Sequence, residues 1–304
     1  MSSETVSVVI VHYRTPEETC AAARSVEKTA PAAEILVVDN ASGDSISERL
    51  SRAAPTARVA TEASNRGYGA ACNRGARETS GELLLFLNSD ARLLRGSVEA
   101  LMKSLESSPG AAAAGPLLLD PDGTPQPSIQ RFPTPWRIFC ESSGLASLFG
   151  GRVFRGHTKT AEDHGSLHAV ETLKGAALLL RRSDFEAAGG FDETFFLYGE
   201  ETDLIRRLAD RCREVLFVPQ AEVVHSGGGS GGDALFGLVH EGLRRYVLKH
   251  HGPGAARFAA ACLWLGATGR YVLALVTPGE GGKRRRLRYR SALKGNRQIP
   301  SSGQ

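Results

Sequence analysis

Three short apolar runs constrain the fold more than any other feature: Val6 to Val11 (VSVVIV), Glu34 to Asp39 (EILVVD) and Glu82 to Leu87 (ELLLFL). Each lacks polar alternation, as a strand buried on both faces does, and each gives way to turn residues and then to a stretch of helical character. After the first, Thr15-Pro16-Glu17-Glu18 reads as a helix start, with Thr15 as cap, Pro16 at the first position and Glu18 closing a capping box. After the second, Asn40 to Asp44 (NASGD) is turn chemistry, and Asp44 or Ser45 is placed to cap. A further strand is expected at Arg58 to Thr61 and a helix from about Gly69. Beyond the third run, Val98, Leu101, Met102 and Leu105 recur on one helical face. Strand–helix alternation of this kind predicts an α/β fold, a mostly parallel Rossmann-like sheet flanked by helices with right-handed crossovers. Ligands bind such sheets beyond the carboxyl ends of the strands, and Asp39 and Asp90 both stand at such ends.

From Pro116 to about His168 the rhythm breaks. Asp120 to Gly123 is a turn, and Pro125, Pro127, Pro133 and Pro135 oppose long regular elements. A substrate loop or a surface excursion would both account for the stretch. Order is expected to return with a strand from Leu173 to Arg181, a short helix capped by Ser183 and Glu186 and ended by Gly189-Gly190, and a helix from Glu200 to Cys212 burying Leu204, Leu208 and Cys212. A strand from Val215 to Val218 precedes His225 and the glycine run Gly227 to Gly232. Phe258 to Val276 is apolar and nearly long enough to cross a bilayer, but Arg257 and Arg270 make spanning costly, so a helix on a membrane surface or packed on the protein is expected. The breaks in rhythm divide the chain into residues 1–115, 116–232 and 233–304, the last an expected helical, basic extension.

Composition excludes several classes. At 41% hydrophobic and 23% charged residues the chain is that of a folded globular protein. A net charge of +4 is too mild to imply nucleic acid, although Lys283 to Arg290 concentrates the excess near the C-terminus. Five dispersed cysteines without a CxxC pair suit neither a disulfide framework nor structural zinc, and fit a reducing cytoplasm. The residues before the first strand show no basic region followed by an apolar stretch, so no secretory signal is expected.

Several clusters call for chemistry. Asn88-Ser89-Asp90, directly after a buried strand, suits a carboxylate that ligates a hard cation, or a capped turn. Asn65 to Gly75 (NRGYGAACNRG) is a glycine turn entering a helix, loosely like a phosphate cradle but matching neither GxGxxG nor the Walker pattern. Glu200-Glu201-Thr202-Asp203 places three carboxyls in one turn, as ordinary helix-start charge or as a source of a general base whose neighbours and burial raise one pKa. His225 ends an apolar strand, a position that is structural or exposed in most proteins.

In this order and spacing VSVVIVHYR, VVDNASGD, NRGYGAACNRG, LLFLNSDA, KGAALLLRR, GGFDETFFLYGEETDL and VVHSGGGS closely resemble the family 2 glycosyltransferases of the GT-A fold, over about Val6 to Ser230. The likeness is closest to bacterial rhamnosyltransferases acting on lipid-linked sugars in cell-wall and surface-polysaccharide assembly. The resemblance implies an inverting transfer of a sugar, rhamnose favoured, from a nucleotide-diphosphate donor (dTDP-rhamnose or a UDP-sugar) to a hydroxyl of a glycan or polyprenyl-diphosphate-linked sugar, with Mg²⁺ or Mn²⁺. It implies that Asp39 bonds the pyrimidine base, that His12, Tyr13 and Arg14 line the nucleotide pocket, and that Asn65, Gly67 and Asn73 form the second nucleotide-sugar segment. Asp90 matches the last acid of the DxD metal motif. Asn88 stands where many members carry the first Asp, leaving one fewer charged ligand, and with Ser89 is grouped with donor binding. His225 matches a histidine completing the metal site in some members. Glu201 falls where the family has the catalytic base, with Glu200 and Asp203 as alternatives.

Two rival enzymes fit less well. A nucleotidyltransferase needs a Gly-rich loop with Arg and Lys after the first strand, and a dehydrogenase needs GxGxxG there. A catalytically inactive nucleotide-sugar-binding or scaffold protein on the same fold is the alternative from another class. The apolar 258–276 stretch beside the basic run predicts a peripheral location at the inner face of the cell membrane, on anionic lipid.

Overall fold

The computed structural model describes residues 4–149, 153–158, 164–227 and 235–295. Its elements run β1 (Val6–His12), α1 (Pro16–Thr29), β2 (Glu34–Asp39), α2 (Ile46–Ala53), β3 (Arg58–Thr61), α3 (Tyr68–Arg77), β4 (Leu83–Asn88), β5 (Ala91–Leu93), α4 (Ser97–Glu106) and β6 (Ala111–Leu119). They continue with β7 (Ile129–Gln130), α5 (Pro135–Ser143), α6 (Leu145–Leu148), β8 (His168–Ala169), β9 (Thr172–Leu173), β10 (Ala177–Arg181), α7 (Arg182–Ala187), α8 (Glu200–Ala209), β11 (Glu214–His225), α9 (Phe236–Leu275) and α10 (Gly279–Gly295). By contacts the chain forms two units: one of Met1–Arg131, Ala161–Phe196 and Glu200–Ser230, and one of Phe132–Thr160, Leu197–Gly199 and Gly231–Gln304. The described residues of Phe132–Thr160, within the expected 116–232 segment, thus group with the C-terminal helices.

The first unit is built on a sheet of order β3-β2-β1-β4-β10-β6-β11-β5, with β8 on β11. β3, β2, β1 and β4 are mutually parallel, β10 runs against β4 and β6, and β11 is parallel to β6. Most strands therefore point one way, as the alternation predicts. Every residue of β1 is buried, and each fully buried aliphatic side chain in such a strand contributes roughly 1.5–3 kcal/mol. The register pairs His12 with Asp39 and Val11 with Asn88, which aligns three carboxyl ends on one sheet edge. At that edge the chain turns from β4 into β5, which lies antiparallel along the end of β11 and pairs Ala91 with His225. This turn carries Asp90 to His225.

Several local expectations are corrected. Thr15 occupies the cap position of α1, but its hydroxyl donates to Ser89 Oγ at 3.2 Å and makes no cap bond. Asp44, not Ser45, receives an amide of α2, from Ile46 at 3.2 Å. α7 begins at Arg182, so Ser183 lies inside it and no Ser183–Glu186 box forms. Leu173 and Ala177–Arg181 belong to different strands: β9 pairs with β7, and Lys174 to Ala176 link it to β10. Cys212 lies beyond α8, exposed, with φ of 58°. β11 is much longer than Val215 to Val218, because a register shift between Val218 and Glu222 lets it resume pairing. Of the glycine run, only Gly227 lies within the described residues.

The second unit is helical. Pro135 does not oppose regular structure there; it starts α5, with the Thr134 hydroxyl accepting from the Arg137 amide at 3.2 Å. α9 is bent at Gly252, whose φ of 83° precedes Pro253. Its second half lies close on α5: a methyl on Gly266 would come within 2.7 Å of Ser142 O, and Arg270 donates to Glu141 O at 2.8 Å. The basic run lies in the helix α10, tied to α9 by Arg286 donating to Ala274 O at 3.0 Å.

Candidate functional site

The turns after β1 and β2 interlock. The Asn40 amide donates to His12 O at 2.9 Å, the Arg14 amide to Ser42 Oγ at 3.1 Å, and the Ser42 amide to Asp39 Oδ1 at 2.9 Å. Arg14 and Ala41 both hold left-handed φ, 56° and 60°, conformations that persist only where surrounding bonds over-determine them. His12 is fully buried, with Nδ1 2.8 Å from Thr19 Oγ1 and Nε2 3.1 Å from both Asp44 oxygens. It holds the two turns together, and the part of this loop that reaches solvent is half-buried Tyr13 and exposed Arg14, whose guanidinium lies 5.1 Å from the Tyr13 ring centre.

Asn40, which sequence reasoning read only as a turn residue, ties this edge to the glycine loop. Its Nδ2 donates to Asn65 Oδ1 at 2.9 Å and Gly67 O at 3.1 Å, and its Oδ1 accepts from the Arg66 amide. Asn65 in turn accepts from the Gly67 amide at 3.0 Å. Gly67 has φ of 92°, and a methyl there would fall 2.4 Å from Phe196 O, so no side chain fits. Asn73 serves a neighbouring loop: its amide donates to Phe191 O at 2.8 Å and accepts from the Phe191 N–H at 2.8 Å. Both ends of that side chain are committed to the Gly190–Glu193 backbone region. A cavity of about 760 Å³ borders it, lined by Asn73, Arg77, Arg182 and Glu193 among others, and none of Asp39, Asp90, Glu201 or His225 faces it.

At the next strand end Asn88 is half-buried and its amide donates to Ala176 O at 2.9 Å, while Ser89 is buried under Thr15. Asp90 Oδ1 stands 3.4 Å from His225 Nε2. Behind His225 lies buried Gln126, which no motif singled out. Its Nε2 donates to Asp120 Oδ1 at 2.7 Å and His225 O at 2.6 Å, and its Oε1 accepts from Lys174 Nζ at 2.8 Å. Reversing the amide would set oxygen against two oxygens and NH₂ against an ammonium, so its orientation is determined. His225 Nδ1, 3.2 Å from that same Oε1, must therefore carry hydrogen. In the neutral ring this leaves the Nε2 lone pair facing the Asp90 carboxylate, an arrangement that a cation between them would satisfy. Among the described residues no group of three or more His, Cys, Asp or Glu side chains converges. The pair supplies one oxygen and one nitrogen ligand, a partial set for Mg²⁺ or Mn²⁺. Burial lowers the Lys174 ammonium below the ordinary lysine value, while Asp120 and Asp90 act in the opposite direction.

The three acids of α8 separate by environment. Asp203 is fully buried and bonds Arg207 at 2.9 Å, and that guanidinium also holds Ala188 O and Gly190 O. It is a structural ion pair. Glu200 is 4% exposed, with Oε2 lacking a hydrogen-bond partner. Burial first, and the Glu201 charge second, push its carboxyl well above the usual range. Burial likewise raises the Tyr68 phenol and Cys72 thiol beside it, with Glu200 and Glu201 adding to the rise. Glu201 is only half-buried. Each glutamate stem rests on a glycine: a methyl on Gly69 would lie 3.6 Å from Glu200 Cβ, and one on Gly175 2.7 Å from Glu201 Cγ. Lys174, Gly175 and Ala176 thus link the parts, reaching Gln126, Glu201 and the Asn88 amide in turn. The segment reads in the sequence only as KGA ahead of an apolar strand, and its spacing alone gives no hint of that bridging role.

A family model described as Glycosyl transferase family 2 matches residues 7–168. Two Mycobacterium tuberculosis strains each carry an N-acetylglucosaminyl-diphospho-decaprenol L-rhamnosyltransferase that is 34% identical over 206 residues, 63% of this chain and 66% of the relative. The chain therefore aligns with just under two thirds of those relatives' length. Among solved structures, a Pyrobaculum calidifontis mannosyltransferase in complex with GDP-Man and Mn²⁺ superposes with a TM-score of 0.58 at 16% identity, covering 98% of this chain and 87% of that one. GalNAc-T7 with UDP, GalNAc and Mn²⁺ gives 0.57 at 16% identity, covering 97% and 56%. These likenesses show the GT-A fold. With the family model matching more than half of its 304 residues, the chain belongs to glycosyl transferase family 2.

Proposed function

We propose that the protein is an inverting glycosyltransferase that moves a sugar, rhamnose favoured, from a nucleotide-diphosphate donor to a hydroxyl of a glycan or polyprenyl-diphosphate-linked sugar at the cytoplasmic membrane face. The observation that carries this reading is the convergence on one sheet edge of the Asp90–His225 pair and the Glu200–Glu201 pair, joined by Lys174 to Ala176. The name of the Mycobacterium tuberculosis relatives supports rhamnose and a lipid-linked acceptor. The Mn²⁺ in the two solved neighbours supports a divalent metal.

The chain's own residues divide the work. Asp39, with Oδ1 fixed by the Ser42 amide, accepts from the pyrimidine base, and Tyr13 and Arg14 cover the nucleotide. Asn65 and Gly67 shape the loop beside it, which Asn40 ties to the end of β2; Asn73 supports the 190–193 loop, and Ser89 fixes the turn that presents Asp90. Asp90 and His225 would hold Mg²⁺ or Mn²⁺, and the bound metal would supply positive charge to offset that developing on the leaving diphosphate. Asn88 sits beside them without adding charge. Glu201, the more accessible acid, takes the proton of the acceptor hydroxyl as the hydroxyl oxygen bonds to the anomeric carbon and the bond from that carbon to the diphosphate oxygen breaks, releasing the nucleoside diphosphate. Burial raises the Glu200 carboxyl and so favours its protonated form, which disfavours two adjacent negative charges in the pair. For attachment, one described helix, α9, is long and apolar enough to cross a membrane. Its bend at Gly252 and the basic α10 favour a surface position.

The nucleotide reading has a direct check. Uracil and thymine offer an N3–H donor to Asp39 that cytosine lacks. Titration calorimetry with Mn²⁺ should therefore show UDP and dTDP binding at least tenfold more tightly than CDP, the loss of roughly one charge-assisted hydrogen bond. Asp39→Asn should narrow the gap. Tighter binding of GDP than of UDP and dTDP would overturn the assignment.

A further inference from the structure

The helical unit exposes apolar surface that α9 and α10 do not account for. In the stretch expected to be a substrate loop or surface excursion, Trp136 is 47%, Leu148 75%, Phe149 53% and Val153 65% exposed. Contiguous apolar patches of this kind mark interaction sites on soluble proteins. The rings around them form a continuous chain. Centroids lie 5.5 Å apart for Phe149–Phe154, 6.3 Å for Phe154–Trp136, 5.4 Å for Trp136–Phe139 and 6.2 Å for Phe139–Phe258. Phe258 is on α9, where exposed Leu265, Val272 and Val276 continue along one face of the helix and past its end. The two surfaces are therefore one.

Charge and polarity identify the partner. Trp136 Nε1 already donates to Val153 O at 2.7 Å, so the ring can enter an apolar phase without stranding its N–H. The acid of α5, Glu141, is turned inward to His157 at 2.7 Å. From Pro253 to Val276 the only charged residues are Arg257 and Arg270, and α10 carries seven basic residues against one acid. An apolar surface with interfacial aromatic residues and a basic, acid-poor border complements an anionic bilayer. We propose that α5, α6 and the ring chain from Phe149 to Phe258 form with α9 a single lipid-contacting surface, so that two segments distant in sequence dock together on anionic lipid. This rests on the membrane reading given above and adds a second anchor to it.

The chain has two tryptophans, Trp136 and Trp264, one on each part of the surface. Full-length Trp264→Phe and Trp136→Phe proteins each report one part. On phosphatidylglycerol–phosphatidylcholine vesicles with brominated acyl chains, both single-tryptophan proteins should shift to shorter emission wavelength and be quenched to a similar degree. Exchanging exposed Leu148 and Phe149 together for Ser should weaken vesicle binding by roughly tenfold or more through lost apolar burial, with an unchanged thermal melt. If Trp264 is quenched and Trp136 is not, or if the Leu148/Phe149 change leaves binding intact, the second anchor is wrong while membrane attachment stands. If wild-type protein fails to bind these vesicles, both ideas fall.

Discussion

Glu201→Gln should slow sugar transfer by roughly 10²–10⁴-fold, the usual contribution of a positioned general base, while donor nucleotide affinity stays nearly constant. The substitution keeps side-chain length and shape, so the stem still rests on Gly175 and only the proton acceptor is lost. The neighbouring acids provide internal controls. Burial first, and the Glu201 charge second, raise the Glu200 carboxyl, which makes it the poorer candidate for an ionised base, so Glu200→Gln should cost no more than about tenfold, well below the loss of a base. Asp203 has a different task, because its ion pair with Arg207 holds the loop at Ala188 and Gly190. Asp203→Asn should lower the melting temperature before it affects chemistry, since breaking a buried pair costs up to roughly 3–5 kcal/mol. Rapid-quench transfer rates, calorimetric nucleotide affinities and thermal melts of the three variants separate these roles. A dead Glu200→Gln protein beside an active Glu201→Gln protein would move the base by one residue.

Asp90→Ala should reduce transfer by roughly 10²–10³-fold, the scale of several kcal/mol of charge stabilisation, and should remove the gain in UDP or dTDP affinity that Mn²⁺ brings to wild type. With Asn88 beside it contributing no charge, Asp90 is the carboxylate of the pair with His225. Gln126→Leu should act at one remove, weakening Mn²⁺ affinity by roughly 10–100-fold as loss of a histidine's outer partner does. Nitrogen-15 NMR supplies a readout independent of activity. His225 should carry hydrogen on Nδ1 in wild type and lose that preference in Gln126→Leu. Full turnover in excess chelator, or wild-type turnover of Asp90→Ala, would contradict the metal assignment.

What could be read from the sequence, and what could not, divides along physical lines. The strands and their polar ends were readable because an apolar run followed at once by Asp or Asn is a local signal. Asp39, Asn88 and Asp90 were located that way, and His225 by its place after the last apolar strand. The partners that orient them carry no local mark. Gln126 lies in a proline-rich stretch without periodicity and meets His225 across 99 residues of chain. Lys174 reaches it because the 174–176 link lies between β9 and β10. Asp203 carries a local mark, Arg207 one helical turn on, but its full burial and the grip of that guanidinium on Ala188 O and Gly190 O required the fold. The Thr15–Glu18 box failed for a related reason, since a tertiary partner, Ser89, took the hydroxyl that local capping would have used.

The central claim is a single displacement in which Glu201 activates the acceptor, and the configuration of the product tests it most directly. Wild-type protein with Mn²⁺, a dTDP- or UDP-sugar and a short polyprenyl-diphosphate-linked sugar should give, by proton NMR of the anomeric centre, a product of inverted configuration relative to the donor. The same mixture with Glu201→Gln should give little product of either configuration in the same time. A product that retains the donor's configuration would contradict the account.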